Sequence, residues 1–311
     1  MYKFQYNKTT ITEFLLSGFS NFNAMGRYFF PVILTIYIVT ITTNIFIIVI
    51  VSIDQRLHKP MYFFIASLSF LEIWYPSVTV PRLLWALMRR KQSISPAGCI
   101  IQFYFHFSFG VVENFLLAIM AVDRYIAICR PLRYTVIMSP DMCIKLLLGC
   151  WFLGFIIVFV PCLQVSNLSF CSKNKIDHYY CDFAPLIRLS CSDTASAEML
   201  FFAFACFIIF GSFLIISMSY ICIIQTTMTF PTSFGRSKAF STCASHLVVV
   251  ILFYGTTMFM FIRPTAGGLL HLNKIISIIP SIITPLLNPI IYTLRNQEVK
   301  EAVKKIVQKM S

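Results

Sequence analysis

The triplet Asp123-Arg124-Tyr125 carries the most distinctive charged chemistry in the sequence. It stands where a long apolar run ends, so an acid and a permanent cation lie side by side at the edge of a hydrophobic segment. A carboxylate can hold a neighbouring guanidinium through a charge-assisted hydrogen bond. The alternative is a plain cluster of charges that reaches the membrane interface. The triplet therefore predicts either such a cluster or a switch in which Asp123 restrains Arg124.

Two acidic residues, Glu72 and Glu113, lie well inside long apolar runs. An ionisable group within a membrane is costly, which makes it a functional hypothesis by default. Two carboxylates that lie close together cannot both stay ionised unless a proton or a cation lies between them. The pair is therefore interpreted either as a sodium site or as protonated carboxyl groups hydrogen-bonded to Asn44 or Asn288.

Four of the eleven cysteines are expected on the lumenal side, and the other seven are expected to be small packing residues. Cys99 begins the third apolar run, and Cys171, Cys181 and Cys191 share the segment between the fourth and fifth runs. The regular gaps within this trio do not suit common zinc sites, although His178 lies nearby. Two disulfides are favoured, and four cysteines allow three pairings.

The elements that must position these groups are membrane helices. Hydrophobic residues make up 58% of the 311 residues and charged residues 12%, which excludes a soluble enzyme, a disordered chain or a nucleic-acid-binding protein. A bilayer-crossing helix needs roughly 20 mostly apolar residues. We expect an all-α membrane protein, a seven-transmembrane helix bundle, with spans near 28–53, 60–81, 97–122, 146–165, 199–224, 239–262 and 275–294.

The net charge of +13 is expected to face lipid headgroups, because Lys and Arg stand at the ends of the apolar runs. Loop charge barely decides the orientation of the chain. The glycosylation sequon at Asn7 and the loop cysteines favour an extracellular N-terminus, since disulfides need an oxidising compartment. This divides the chain into an extracellular tail (1–27), a membrane domain (28–294) and a cytoplasmic tail (295–311).

The cytoplasmic tail is predicted to contain a short amphipathic helix. Val299, Ala302, Val303 and Ile306 recur at helical spacing, with lysines on the opposite face. Such a helix lies on the inner leaflet and contacts membrane lipids.

Four sequence blocks together resemble the odorant receptors, a family within the rhodopsin-like G-protein-coupled receptors. They are Met120–Cys129 around the charged triplet, Lys238–His246, Pro60-Met61-Tyr62, and Asn288-Pro289 followed by Tyr292. The resemblance extends from Glu13 to Asn296. Departures from the family pattern are Thr43 before Asn44, Lys59 before Pro60, and Glu72 where the family carries Asp.

The resemblance implies the pairings Cys99–Cys181 and Cys171–Cys191. It also implies odorant ligands, coupling to a stimulatory olfactory G protein that raises cyclic AMP, and a location in the plasma membrane of olfactory cilia. In rhodopsin-like receptors the region of Glu72 and Glu113 can hold an allosteric sodium ion; no other cofactor is expected. The residues of the expected switch are Asp123, Arg124, Tyr125, Asn288, Pro289 and Tyr292.

A ligand pocket is expected in the outer halves of spans three, five and six. Helical steps outward from Arg124 predict one broad face of span three, and the resemblance adds inward residues from spans five and six. The pocket is apolar and aromatic, which suits small, neutral, volatile molecules. The predicted residues are Phe103, His106, Phe107, Gly110, Val111, Phe204, Ile208, Tyr254, Thr257, Met258 and Phe261.

Other functional classes find less support. Enzyme signatures such as His-Glu-x-x-His or a phosphate-binding glycine loop are absent from the sequence, so an enzyme is not expected. A transporter would be expected to show internal repeats or polar residues at mid-depth in several spans. The nearer alternative is a rhodopsin-like receptor for a ligand that is not an odorant.

Overall fold

The computed structural model describes residues 11–17, 26–89, 93–171, 174–230, 232–262, 270–295 and 297–310. Within these ranges seven helices are long and apolar enough to cross a membrane, which confirms the predicted number. They define spans one to seven: Tyr28–Ile53, Pro60–Met88, Pro96–Cys129, Pro140–Ser166, Ala195–Met228, Cys243–Met260 and Leu272–Tyr292.

Capping residues set the starts of two central helices. Ser95 and Ser139 stand before spans three and four, and each side-chain oxygen accepts a hydrogen bond from the backbone N–H three residues later. Pro96 and Pro140 follow at the first helical position, where the missing N–H costs no hydrogen bond. A polar cap followed by proline therefore fixes where each apolar run becomes helical.

Several helices exceed the predicted spans. The third and fifth are the helices Pro96–Cys129 and Ala195–Met228, each 34 residues long, and the sixth lies within the helix Ser233–Ile262. Hydrophobicity identifies only the part of a helix that crosses the lipid. The helices are longer than the apolar runs because their backbone hydrogen bonding continues into polar turns beyond the membrane. The first helix is Gly26–Ile53, and the second span consists of two helices, Pro60–Ser77 and Val80–Arg89.

The seventh span leaves regular α-helical geometry earlier than the sequence suggests. Proline lacks the N–H that continues a helix, so the sequence favours an interruption at Pro285 and Pro289. The change instead occurs at a π-helical segment, Ile279–Ile283, that contains Pro280. This segment lies between the helices Leu270–Ile276 and Thr284–Arg295. π-Helical turns are rare and occur frequently at functional sites.

A small sheet at one end of the bundle, here called the outer end, adds β structure to the expected all-α fold. Its strands are β1 (Phe14–Leu16), β2 (Ser93–Ile94) and β3 (Lys175–Ile176), in the order β2-β1-β3. β1 pairs antiparallel with β2, Phe14 opposite Ile94, and parallel with β3, Leu16 opposite Ile176. The N-terminal segment therefore joins the loops on either side of it into one layer.

Short helices and the C-terminal helix complete the fold. The C-terminal helix, Gln297–Met310, buries Val299 and Ala302, as its amphipathic pattern predicts. Lys59 Nζ lies 2.7 Å from Glu298 Oε1, and the Tyr62 hydroxyl donates to Glu298 Oε2 at 2.9 Å. The short helices are Gln55–Leu57, Pro131–Arg133, Tyr134–Ile137 and Phe183–Ile187.

Span three lies at the centre of the bundle. It packs against spans two, four, five and six, and the largest apolar cluster includes fully buried residues of its inner half, among them Val112, Leu116 and Met120. Side chains from Phe103 to Asp123 therefore meet different neighbours at different depths. This helix positions both the predicted pocket residues near one end and the predicted switch residues near the other.

Candidate functional site

Two disulfides fix the loop between spans four and five over the outer end of the bundle. They join Cys99 to Cys181 and Cys171 to Cys191, the pairing that the resemblance implies. The first ties the loop to the start of span three, and the Cys181 backbone N–H also donates to Gln102 Oε1 at 3.1 Å. The loop is therefore held to the same helix that carries the predicted pocket residues.

Aromatic rings fill the contact between this loop and spans three and five. Phe103 and Phe107 lie with ring centroids 4.6 Å apart, and Phe107 meets Phe201 at 5.2 Å. Phe183 of the loop stacks on Phe201 at 3.8 Å. Phe183 and Phe201 were not among the predicted pocket residues. Their contact depends on how the loop folds back over the bundle, which the local sequence does not indicate.

Three more predicted residues continue this surface towards span four. Val111 and Ile208 are buried together with Val158 of span four, and Phe107 and Phe204 pack against them. The surface defined by Phe103, Phe107, Val111, Phe204 and Ile208 is the aromatic wall of the site.

On the predicted broad face of span three, His106 and Gly110 lie towards span two, and the His106 ring also contacts Phe107 at 5.4 Å. The His106 ring contacts Tyr75 of span two at 5.0 Å and Tyr180 of the loop at 4.2 Å. A methyl group built on Gly110 would lie 3.6 Å from the Tyr75 hydroxyl oxygen. Helical steps predict which residues lie near one another along a helix, but packing against span two divides them between two neighbours.

The predicted residues of span six lie at different depths. Tyr254 is buried, contacts Phe213 at 5.7 Å, and lies with its hydroxyl 3.5 Å from the Asn114 backbone oxygen. Thr257 donates to the Phe253 carbonyl of its own helix. Met258 packs against the main core. The side chain of Phe261 lies outside the described residues.

The predicted carboxylate pair is fully enclosed, with Glu72 1% and Glu113 0% exposed. Asn288 Nδ2 donates a hydrogen bond to Glu72 Oε1, as one of the two interpretations expects. Asn44 donates instead to the backbone oxygens of Thr40 and Pro285. Span seven is therefore joined to spans one and two through side-chain amides at mid-depth.

The residues around this pair fit a hard cation. Buried oxygens of Glu72, Glu113, Asn44 and Asn288 have no hydrogen-bond partner in the described part of the chain. Carboxylate and amide oxygens are the ligands that hard cations prefer. Only two of them are carboxylates, and no cluster of three or more His, Cys, Asp or Glu side chains occurs among the described residues. The site suits a monovalent cation or a shared proton better than a divalent metal.

At the opposite, inner end of the bundle, the predicted bond between Asp123 and Arg124 is not observed. Asp123 is fully buried and accepts a hydrogen bond from the Tyr134 hydroxyl at 2.9 Å, and no ion pair joins it to Arg124 within the described ranges. Arg124 Nε is buried without a partner there. Neighbouring positions on a helix point in different directions, so adjacency in sequence did not ensure contact.

A histidine that the sequence analysis did not select connects three spans at this level. His246 Nδ1 lies 2.7 Å from the Tyr220 hydroxyl, and its Nε2 lies 3.1 Å from the Leu117 backbone oxygen. His246 is fully buried, and Tyr220 is 6% exposed. His246 is the last residue of the Lys238–His246 block that resembles the family, so the sequence could have indicated its importance. Its contacts with Tyr220 and Leu117 could not be predicted from the sequence.

The other predicted switch residues lie in two different parts of the bundle. Tyr292 is buried and its hydroxyl has no partner among the described residues, while Tyr125 packs at the edge of the main core. Asn288 belongs to the carboxylate site, and Pro289 lies inside the last helix of span seven. These residues therefore form two groups, one at mid-depth and one around Arg124.

The outer loop is also bonded to the top of span seven. The Tyr179 hydroxyl lies 2.7 Å from Ser281 Oγ, in the π-helical segment, and His178 Nε2 lies 3.4 Å from Ser277 Oγ. Lys274 Nζ lies 2.6 Å from Asp177 Oδ1. Burial would raise the pKa of Asp177, but the hydrogen bond and charge of Lys274 hold it below its usual value.

Burial lowers the pKa of the His178 side chain to about 3, assisted by the nearby charge of Lys274. His178 is therefore neutral at physiological pH and acts through hydrogen bonding and ring contacts. The predicted glycosylation residue Asn7 lies outside the described residues.

Comparison with known proteins gives one consistent family. The family model described as "Olfactory receptor" matches residues 33–310. The chain is 46% identical over 299 residues to human olfactory receptor 6F1, covering 96% of this chain and 97% of the relative. It is 49% identical over 300 residues to human olfactory receptor 6B1, covering 96% of each, and 45% identical over 302 residues to rat olfactory receptor 287, covering 97% of each.

Proposed function

Because the chain belongs to the olfactory receptor family, we propose that it detects small, lipophilic, volatile odorants within its helix bundle and activates a stimulatory olfactory G protein, which raises cyclic AMP. Members of this family are receptors and not enzymes, and the seven spans make the chain a multi-pass membrane protein.

One observation carries the proposal for the ligand. The aromatic wall and the loop ring Phe183 are apolar, and no ion pair occurs among their described side chains. A charged ligand would lose hydration there without gaining a partner, whereas an apolar one gains about 25 cal/mol for each Å² it buries. A neutral ligand of limited size is therefore favoured.

The route of the signal follows span three. The aromatic wall lies near its outer end and Arg124 at its inner end, with the His246–Tyr220 contact beside the latter. A ligand that prefers one arrangement of spans five and six would shift the equilibrium towards it. Movement of span six would carry His246 away from the Leu117 carbonyl and open space beside Arg124 for a G-protein helix.

The sheet and the two disulfides at the outer end of the bundle support the proposed orientation of the chain in the membrane. β1 of the N-terminal segment pairs with β3 in the disulfide-bonded loop, so both lie on the same side of the membrane. Disulfides require an oxidising compartment. This supports an extracellular N-terminus, with the location in olfactory cilia inferred from the family.

The enclosed carboxylates are proposed to bind an allosteric sodium ion or to share a proton. Either occupant would satisfy oxygens of Glu72 and Glu113 that are otherwise unpaired in the described part. Bound sodium would favour whichever arrangement of spans brings the oxygens together. Replacing sodium with choline in the medium should shift agonist potency in the wild type and not in Glu113→Gln; equal shifts in both would exclude the ion.

The experiment that tests the proposed function is an odorant panel with a cyclic-AMP readout in cells that express the chain and the olfactory G protein. We expect neutral lipophilic compounds to produce dose-dependent responses that vector-only cells lack. Selective responses to permanently charged compounds would contradict the proposed ligand class. The alternative, a receptor for a ligand that is not an odorant, predicts silence across the panel and a response to tissue extracts.

A further inference from the structure

We propose that Lys59 is a positioning residue for signalling: it holds the Glu298 carboxylate against the start of span two and so keeps that carboxylate from pairing with Arg124. The inference rests on the proposed function, in which a G-protein helix binds beside Arg124. It also gives a role to Lys59, which is one of the positions where the chain departs from the family pattern.

Lys59 is an unfavourable residue for its own helix. It is the N-cap of the helix Pro60–Ser77, and its side chain makes no capping hydrogen bond. A helix start favours a short polar side chain that accepts a backbone N–H bond, and the positive end of the helix dipole disfavours a cation there. Ser95 and Ser139 follow this rule at spans three and four. The exception at span two indicates that Lys59 serves a contact other than capping.

That contact is with Glu298 of the C-terminal helix. Lys59 Nζ donates to both carboxylate oxygens of Glu298 at 2.7 Å, and the Tyr62 hydroxyl donates to Oε2 at 2.9 Å. The Lys59 and Glu298 side chains are about half exposed, whereas Tyr62 is buried. Two donors from the start of span two therefore fix one carboxylate of the C-terminal helix, across 239 positions of sequence.

The C-terminal helix turns an acidic edge towards the connection between spans one and two. Glu301 follows Glu298 by three positions, so both lie on one side of the helix. Glu301 Oε2 lies 3.8 Å from Arg56 Nη1. Val299 and Ala302 are buried in the largest apolar cluster, which anchors the start of this helix to the bundle. Packing and two cations together therefore set where the Glu298 carboxylate lies.

Arg124 is a second cation that acts on the same carboxylate. Burial raises the pKa of Glu298, but the hydrogen bonds of Lys59 and Tyr62 and the charges of Lys59 and Arg124 hold it below its usual value. Arg124 forms no ion pair within the described ranges, and its Nε is buried without a partner there. Residues 221–246, at the inner ends of spans five and six, include no acid that could restrain it. Lys59 and Arg124 therefore compete for the charge of Glu298, and Lys59 holds it.

The first test measures the maximal cyclic-AMP response to the most potent panel odorant at matched surface expression. The variants are Lys59→Met, which keeps a long side chain without its charge, Glu298→Gln, and the double variant Lys59→Met/Glu298→Gln. Lys145→Met is the matched control, because Lys145 is an exposed lysine near the inner end of span four that forms no ion pair in the described part of the chain.

We expect Lys59→Met to lower the maximal response about two- to fivefold, the range over which one partly exposed ion pair shifts a two-state equilibrium. The double variant and Glu298→Gln should both respond close to wild type, because a neutral amide does not restrain Arg124, and Lys145→Met should match wild type. If Lys59 only fastened the C-terminal helix, the double variant would respond as weakly as Lys59→Met. That result, or an unchanged response in Lys59→Met, would overturn the inference.

The second test does not depend on signalling. A double-mutant cycle of Arg124→Gln and Glu298→Gln is measured by thermal unfolding of the full-length receptor in detergent, once with Lys59 present and once in Lys59→Met. We expect the coupling between Arg124 and Glu298 to be larger in Lys59→Met by about 1–3 °C in melting temperature. Equal coupling in the two backgrounds would show that Lys59 does not withhold Glu298 from Arg124.

The two tests separate the inference from the proposed function. Coupling that increases in Lys59→Met, without a cyclic-AMP response from any variant or from wild type, would retain the competition for Glu298 and refute the signalling proposal. An odorant response in wild type, with equal coupling in both backgrounds and an undiminished response in Lys59→Met, would retain the receptor function and refute the inference.

Discussion

At the scale of single residues, the identity of important groups could be predicted more readily than their partners. Glu72 is buried as predicted, because charge inside an apolar run is visible in sequence, whereas Asp123 was predicted only to stand at the end of such a run. Their bonds, to Tyr134 and Asn288, join residues 11 and 216 positions apart. The Asn288 bond was one of two alternatives left open. The Tyr134 bond was not predicted, because the sequence of a short connecting segment does not indicate which helix end it contacts.

The Tyr134 bond gives a prediction about efficacy. In Tyr134→Phe the Asp123 carboxylate loses its observed donor and becomes free to pair with Arg124, which would restrain the arginine. We expect a lower maximal cyclic-AMP response, with agonist potency and surface expression close to wild type. Tyr28→Phe, which alters an exposed tyrosine of span one, is the control. A maximal response equal to that of wild type would show that Tyr134 does not regulate Arg124.

Gly154 gives a prediction about packing. A Cβ at this position would collide with Val112 Cγ2 and lie 3.2 Å from the Ser108 backbone oxygen, so spans three and four approach closely only because this residue is glycine. Gly154→Ala should destabilise the protein by about 1–3 kcal/mol through overpacking. The measurement is thermal unfolding in detergent, with Gly149→Ala as control, since a Cβ there meets nothing within 4 Å. Equal melting temperatures for the two variants would refute the close contact.

At the scale of elements, the apolar runs predicted every span but not where each helix ends. Hydropathy locates lipid, while the ends depend on caps such as Ser95 and Ser139 and on polar turns that continue a helix beyond the membrane. The π-helical segment Ile279–Ile283 and the sheet formed by β1, β2 and β3 were not predicted. Two- and three-residue strands carry too little pattern to be read from sequence, and their pairing joins residues that are far apart in the chain.

The contact between the outer loop and span seven should depend on pH. The docked His178 has a pKa of about 3 because of burial, whereas an undocked histidine titrates near its ordinary value of 6.5. The docked loop is therefore fully stabilised above about pH 6.5 and loses stability as the pH falls, because only the undocked form gains the proton. The loss is about 2 kcal/mol at pH 5, from 1.36 kcal/mol per pH unit.

Thermal unfolding of purified receptor from pH 7.5 to pH 4.5 tests this pH dependence, with His178→Gln as the comparison. The advantage of wild type over His178→Gln should shrink as the pH falls. Burial raises the pKa of Asp182 to about 6, which acts in the opposite direction and is present in both proteins, so the difference between them isolates His178. A difference that stays constant across this range would show that His178 is not buried in its neutral form.

At the scale of the whole molecule, one helix links the two ends of the proposed mechanism. Span three carries Phe103, Phe107 and Val111 of the aromatic wall near its outer end, Glu113 at mid-depth, and Arg124 at its inner end. The seven-helix architecture could be predicted from composition and length, and the family from four short blocks. The division of the predicted pocket residues between contacts with span two and contacts with span five could not be predicted, because it depends on how neighbouring helices rotate against span three.

The central claim is that occupation of the outer site acts on a G protein through Arg124. The most direct measurement is a cyclic-AMP dose–response curve, with the most potent panel odorant, for the wild type and Arg124→Ala matched for surface expression. We predict that Arg124→Ala reaches the surface, since Arg124 forms no ion pair in the described part of the chain, and that its odorant response is abolished. A normal response from well-expressed Arg124→Ala would contradict the account.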